Sequence, residues 1–221
     1  MKTSETIKNS KYKYPHTLHL PWSPGVHRDD RVMISTVHLD GEEVVVTEKM
    51  DGENTTIYHD GIYHARSIDS GSSLWRTRIA ALAAELGHVI QPGERVCGEN
   101  MYAEHSIRYE DLPSVFLVFS MWTLNYCQSW DDTYDWAVKN GLFTVPVICV
   151  GKFDRDSITE AYEFYKKKLD RPSEGYVVRV RRGFLVNGFE DYVGKYVREK
   201  HVQTDDFWTK NWKPNGFRRD E

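Results

Sequence analysis

Val44-Val45-Val46-Thr47-Glu48-Lys49-Met50-Asp51-Gly52-Glu53-Asn54 is followed at once by Thr55-Thr56-Ile57-Tyr58. The first run is apolar and β-branched until it ends in a lysine, and the second is β-rich again. The stretch reads as strand, tight turn, strand, with Lys49 at the end of the first strand. A strand holds its lysine on a rigid element, and a glycine at the turn lets backbone come close to a ligand. Lysine attacks only as the neutral amine, and at a free pKa of about 10.4 almost none is neutral near pH 7. A partly buried position beside other cations would lower that value and activate the amine. Taken alone, Lys49-Met50-Asp51-Gly52 is more simply a surface lysine beside a turn, so the decision lies downstream.

Downstream lies an ordered series. Gly98-Glu99-Asn100 closes a run that contains Val96 and Cys97, and Val115-Phe116-Leu117-Val118-Phe119-Ser120-Met121-Trp122 has the composition of a buried strand. Glu174-Gly175-Tyr176-Val177-Val178-Arg179 opens another strand, and Gly194-Lys195-Tyr196-Val197-Arg198 opens the last. Lys49, Glu99, Glu174 and Lys195 are successively 50, 75 and 21 residues apart. The order Lys-x-Asp-Gly, Gly-Glu, aromatic strand, Glu-Gly-x-Val-x-Arg and a final lysine strand resembles the ATP-dependent RNA ligases. These belong to the covalent nucleotidyltransferase superfamily, with DNA ligases and mRNA capping enzymes. The resemblance runs from about residue 40 to about residue 200.

The resemblance implies a role for each residue. Lys49 would attack the α-phosphorus of ATP, expel pyrophosphate and carry AMP. Glu99 would bind the ribose hydroxyls, Phe119 would stack on adenine, and Glu174 would hold the divalent metal, Mg2+ or Mn2+, with Glu99 as a second metal carboxylate. Lys195 would neutralise the α-phosphate. Arg66 would contact the ribose or an RNA 5′-phosphate, where a guanidinium offers a fixed fork of donors. Glu48 faces the other side of the strand and touches either the base or nothing; Asp51 orients the turn rather than doing chemistry, or is ordinary turn chemistry. Phe119 by itself is an ordinary core residue, and Arg66 by itself a surface arginine. The family places a second lysine two residues after the first, where this chain has Val197; Arg198 and Lys200 follow as candidate substitutes.

Composition sets outer bounds. The chain has 221 residues, is 40% hydrophobic and carries a formal net charge of −4. That fits a single domain with a substantial core, spanning 1–221 with an N-terminal arm over 1–37 and a basic, aromatic tail over 200–221. Net acidity argues mildly against nucleic acid, but Arg179, Arg181, Arg182, Lys195, Arg198, Lys200, Lys210, Lys213, Arg218 and Arg219 gather in the last fifth. They form either a phosphate-facing region or a solvated basic surface. Arg66, Arg198, Lys200, Lys210 and Lys213 are the candidate nucleic-acid contacts. The three cysteines are scattered, without metal-ligand or disulfide spacing, and the histidines show no metal-ligand spacing either. No apolar stretch suits a signal peptide or a membrane span, so a cytoplasmic monomer is expected.

Strands are expected near 43–67, 94–99, 115–123, 144–151, 174–181 and 191–198. Helices are expected over about 74–86 (Leu74, Ile79, Leu82, Ala83, Leu86, with Gly87 as stop), 130–140 (cap Ser129, end Gly141) and 158–169 (capping box Ser157 and Glu160). The fold class is α+β: a minimal, ATP-grasp-like nucleotidyltransferase domain of antiparallel sheets flanked by helices. Only 26 residues follow Lys195, too few for the oligonucleotide-binding barrel that DNA ligases and capping enzymes append. The run Pro15-His16-Thr17-Leu18-His19-Leu20-Pro21 resembles one that precedes the core in such ligases, and the resemblance implies that it covers part of the pocket. The activity implied is RNA sealing: lysyl-AMP formation, AMP transfer to an RNA 5′-phosphate, then attack by a 3′-hydroxyl. A minimal DNA ligase shares this chemistry, and a non-catalytic nucleotide- or RNA-binding module would share the fold.

Overall fold

The strand ending at Lys49 and the strand that follows it do not pair with each other. In the computed structural model, which describes residues 11–199 and 212–218, β2 (Glu43–Lys49) belongs to one sheet and β3 (Glu53–Tyr58) to another. The hairpin expected from the Asp-Gly turn is therefore a crossing between sheets. Gly52 is needed there for close packing: a Cβ would lie 2.6 Å from the Asn100 carbonyl oxygen and 2.9 Å from Glu99 Cγ. The backbone it approaches belongs to the protein.

The first sheet has the order β1-β12-β10-β2-β9, where β1 is Leu18–His19, β9 Val147–Lys152, β10 Gly175–Val180 and β12 Val193–Val197. Central β2 buries Val44, Val45 and Val46 completely, which is why its sequence is continuously apolar rather than alternating. The proline-rich arm supplies only the two-residue edge strand β1, parallel to β12. The second sheet runs β11-β7-β6-β5-β3-β4, with β8 beside β6. Here β4 is Tyr63–Ala65, β5 Glu94–Asn100, β6 Phe116–Thr123, β7 Tyr126–Cys127, β8 Phe143–Thr144 and β11 Phe184–Leu185. Apart from the parallel β1–β12 and β6–β8 pairs, the described ladders are antiparallel. The strand expected over 144–151 is two strands, split at Val145-Pro146, that join different sheets. Pro146 lacks the N–H that one continuous ladder would need.

Helices cover the sheets' outer faces. α1 (Thr77–Leu86) packs Ile79, Ala83 and Leu86 against Ile57 and Val96. Leu74, expected on that face, lies in a preceding 3-10 turn and is 72% exposed. α2 (Trp130–Lys139) has the expected cap, with Ser129 Oγ accepting from the Asp132 amide at 3.0 Å. α3 (Arg155–Lys166) starts earlier than expected, because Asp154 rather than Ser157 is its cap and accepts from the Ser157 amide at 2.8 Å. Its Tyr162 packs edge-on against Tyr176, which stacks flat on Tyr196 at 4.7 Å. A short α4 (Phe189–Tyr192) occupies the first residues of the strand expected from 191.

Candidate active site

The sheets part around a cavity of about 420 Å³, the size of a small-molecule site. Lys49, Asp51, Arg66, Glu99, Phe119, Glu174 and Lys195 all line it, so residues spread over most of the sequence converge on one place. Strand register explains the convergence. Lys49 lies level with Gly175 in the β2–β10 pair, which brings Glu174 beside it. Val177 lies level with Lys195 in the β10–β12 pair. Gly175 is required at that crossing, because a Cβ would sit 1.9 Å from the Tyr196 carbonyl oxygen.

Lys49 Nζ is 2.7 Å from Glu174 Oε1, and the Glu174 side chain is only 2% exposed. Burial pushes the amine toward neutrality, but Glu174, Glu99 and Asp51 together outweigh it and hold the Lys49 pKa above its usual value. The expectation of neighbouring cations lowering that pKa is therefore overturned: the amine's strongest neighbours are carboxylates. Lys195 behaves in the opposite way. Burial, with help from the Lys49 and Arg66 charges, lowers its pKa against the pull of Asp30. Glu99 is pushed up to about 8, first by burial and then by Glu174 and Asp51, against the attraction of Lys49.

Asp51 does orient the turn. Its Oδ2 accepts from the Ser106 amide (2.9 Å), the Ser106 hydroxyl (2.6 Å) and the Ile107 amide (2.8 Å). Its own amide donates to the Tyr109 hydroxyl at 3.0 Å. Glu48 also borders the cavity and is held in a buried ion pair. Arg171 grips both its oxygens at 2.6 and 2.9 Å, and the Tyr165 hydroxyl donates to Oε2 at 2.8 Å. Neither expectation for Glu48, a base contact or nothing, included this buried ion pair.

Phe119 is half-buried on the cavity wall, edge-on to Tyr14 at 5.2 Å. Tyr14, Pro15 and Thr17 of the arm also line the cavity, so the arm covers part of the pocket as expected. Arg66 stands exposed at the rim. Arg198 does not reach the cavity lining, because alternation along the strand puts Val197 on the face of Lys195 and Arg198 on the opposite one. Its amide donates to the Glu174 carbonyl oxygen at 3.0 Å. Lys200 and Lys210 lie outside the described residues, as do His201, Phe207, Trp208 and Arg219.

Three described arginines of the C-terminal basic cluster are paired with carboxylates. Arg181 pairs with Asp131 and Glu43, Arg182 with Glu42, and Arg218 with Asp111. Arg179 is buried and donates to the carbonyl oxygens of Phe119 and Gln128 at 3.3 and 2.7 Å, tying β10 to the second sheet. Residues 212–218 pack against the body of the protein through Asn215, Trp212 and Phe217. Asn215 is buried, accepts from the Tyr109 amide at 3.0 Å and donates to the Met101 and Ala103 carbonyl oxygens at 2.9 and 3.1 Å. Trp212 and Phe217 pack on Tyr102, with ring centroids 5.4 and 6.3 Å away. Lys213 is exposed on this segment, away from the cavity lining.

Sequence reasoning missed Arg171, the 105–109 loop and Asp30, whose carboxylate lies 3.5 Å from Lys195 Nζ. None sits in a patterned stretch; each reaches the site only through tertiary folding. Among the described residues, no cluster of three or more His, Cys, Asp or Glu has metal-holding geometry. None of their helices is long and apolar enough to cross a membrane, and the three cysteines are free thiols.

Several solved structures share this fold. A protein of Aquifex aeolicus assigned as an ATP-dependent DNA ligase aligns with a TM-score of 0.55 at 18% identity, over 85% of this chain and 50% of that one. A Naegleria gruberi RNA ligase variant with ATP and Mn gives 0.54 at 13% identity, over 84% and 58%. An archaeal ATP-dependent RNA ligase gives 0.50 at 19% identity, over 79% and 48%. The chain thus spans about half the length of these ligases, and at such identities the likeness is one of fold. No curated protein matches the sequence. A family model described as RNA ligase matches residues 42–197, from the start of the Lys49 strand to the end of the Lys195 strand. It takes in every wall of the cavity except the arm, and the chain belongs to the RNA ligase family.

Proposed function

We propose that this chain is an ATP-dependent RNA ligase that carries AMP on Lys49, passes it to an RNA 5′-phosphate and seals that end to a 3′-hydroxyl. The observation that carries this reading is the meeting of Lys49, Glu174, Glu99 and Lys195 in one nucleotide-sized cavity between the sheets. A non-catalytic binding module would not need a lysine held by a buried carboxylate at 2.7 Å.

In the first step the Lys49 amine, once deprotonated, attacks the α-phosphorus. A nitrogen–phosphorus bond forms, the bond to the bridging oxygen breaks and pyrophosphate leaves. Lys195, on β12 and one strand removed from β2, is the cation for the α-phosphate oxygens. Its depressed pKa reflects a poorly solvated site, where charge acts strongly. Phe119 offers a ring face for the base, and Glu99 an acceptor for the ribose hydroxyls. In the second step AMP moves from Lys49 to the 5′-phosphate, for which Arg66 at the rim is the candidate ligand. In the third the 3′-hydroxyl displaces AMP.

A divalent ion suits this donor set. Glu174 and Glu99 are two carboxylates beside the reacting amine, and magnesium commonly takes one or two carboxylates plus substrate phosphates. The ion would supply charge neutralisation for the phosphates. ATP labelled at the α-phosphate tests the first step, since only an adenylylating enzyme becomes labelled. Matched nicks with RNA or DNA at the 3′ side test the substrate: better sealing of the RNA end is expected, and equal sealing of all-DNA nicks would move the assignment to a DNA ligase.

A further inference from the structure

Lys195 approaches the cavity on a long, flexible side chain that is only 10% exposed. Both Lys49 and Arg66 act on it as like charges. A buried ammonium facing two other cations needs a counter-charge to stay in place. Asp30 supplies it, with Oδ1 3.5 Å from Lys195 Nζ. Asp30 is absent from the cavity lining, so it stands behind the lysine rather than in the path of a ligand.

Asp30 is itself held on two sides. The His27 amide donates to its Oδ2 at 3.0 Å, and the Asp30 amide donates back to the His27 carbonyl oxygen at 3.0 Å, closing a turn. His19 Nε2 lies 3.2 Å from the same Oδ2, and His19 Nδ1 is 2.8 Å from Ser23 Oγ. Ser23 Oγ in turn accepts from the Val197 amide at 2.9 Å. His19 lies level with Lys195 in the β1–β12 pair, and the Leu20 amide donates to the Lys195 carbonyl oxygen at 2.8 Å. From β12 the hydrogen bonds thus run through Ser23 to His19, whose Nε2 stands 3.2 Å from Asp30, and Asp30 in turn faces the Lys195 ammonium. Burial lowers the His19 pKa to about 4, so the ring is neutral near pH 7 and serves as a spacer rather than a competing charge.

We propose that Asp30 is the positioning residue for Lys195, holding its ammonium against the cavity where the α-phosphate would lie, with the His27 amide fixing Asp30 and the neutral His19 ring packed beside it. The proposal rests on the reading of Lys195 as the phosphate-facing cation. It gives the N-terminal arm a second task besides covering the pocket: it carries the counter-ion for a core lysine.

The test is single-turnover labelling of the full chain with α-labelled ATP, in wild type and in Asp30→Asn, Asp30→Glu, Lys195→Ala and Asp30→Asn/Lys195→Ala variants. Thermal melting of each runs alongside. Asp30→Asn should slow labelling at saturating ATP by about tenfold or more, as misplacement of a catalytic group does. The half-saturating ATP should move by less than about threefold, because the interaction acts in the transition state. Asp30→Glu should recover most of the rate, and the double variant should be no slower than Lys195→Ala. An Asp30→Asn rate close to wild type overturns the proposal. So does an Asp30→Glu rate no better than that of Asp30→Asn, or a further loss in the double variant. Wild-type rates in Lys195→Ala remove its premise. Failure of the wild type to take label at all overturns the ligase reading itself, a distinct result.

Discussion

Lys49 and Glu174 form an ion pair across neighbouring strands, 2.7 Å from Nζ to Oε1, with the carboxylate almost wholly buried and the amine about three-quarters so. The pair fixes the resting state of the candidate nucleophile: protonated, and turned toward the carboxylate. Lys49→Ala should abolish labelling by α-labelled ATP. It should also lower the melting temperature at neutral pH, since removing one partner leaves a buried charge behind, at a cost toward the low end of roughly 3–5 kcal/mol. A variant that labels like wild type would remove Lys49 as nucleophile.

Glu174→Ala removes the other half of the pair. The expected outcome is slower labelling and a weaker magnesium midpoint in a folded protein. A carboxylate beside phosphates repels them unless a divalent cation lies between. Unchanged rate and midpoint would take Glu174 out of metal binding.

The pH profile follows from the direction of the Lys49 shift. Its pKa lies above the ordinary lysine value, and the neutral amine is the nucleophile. Labelling at saturating ATP should therefore climb about tenfold per pH unit from about pH 6 to about pH 9, since each unit multiplies the deprotonated fraction tenfold. A plateau near neutrality would mean an amine already neutral in the resting protein, contrary to the geometry of the pair.

Glu99 titrates at about 8 in the folded protein, raised from 4.5. The unfolded chain loses this proton first, so between those values the native state binds more protons and stability falls as pH rises. Lys49 does not offset this, because its raised pKa lies above the window. Glu99→Gln keeps an uncharged side chain of the same shape. It should melt higher than wild type near pH 8 and indistinguishably from it near pH 4.5, while labelling slows because one of the two oxygens facing the ribose hydroxyls becomes an amide donor. An unaltered melting temperature near pH 8 would contradict the assigned shift.

The residues that meet in the cavity were legible because each ends or opens a strand with a strong pattern. Lys49 closes a valine run, Glu99 and Glu174 flank glycines at strand ends, and Lys195 follows Gly194. Their shared order resembled one family, and that family's model spans them. The sheet assignment was not legible. A turn dipeptide cannot tell a hairpin from a crossing, because the difference lies in which distant strands claim the edges: β10 and β9 for β2, β5 and β4 for β3. Side-chain partners were hidden for the same reason. Arg171 beside Glu48 and Asp30 beside Lys195 are contacts across 123 and 165 residues respectively. In the basic C-terminal stretch the partners were equally hidden: Asp131, Glu42, Glu43 and Asp111 take up three of its described arginines.

The packing of residues 212–218 bears on what removal of the tail should do. Read from sequence, truncation after Gln203 would weaken RNA binding and leave lysyl-AMP formation intact. The structure ties residues 212–218 to the loop that braces the nucleophile's turn. Asn215 and Gly216 bond to Met101, Tyr102, Ala103 and Tyr109, and Tyr109 accepts from the Asp51 amide. Truncation should therefore slow the reaction with ATP itself, in a protein that still folds around its two sheets. Asn215→Ala should do the same more mildly, because it strands a buried amide and two buried carbonyl groups at about 1–3 kcal/mol for each unsatisfied group. The check is single-turnover labelling beside circular dichroism for both variants. Wild-type labelling in the truncated chain would mean that Asp51 and the 105–109 loop hold the turn without help from the tail.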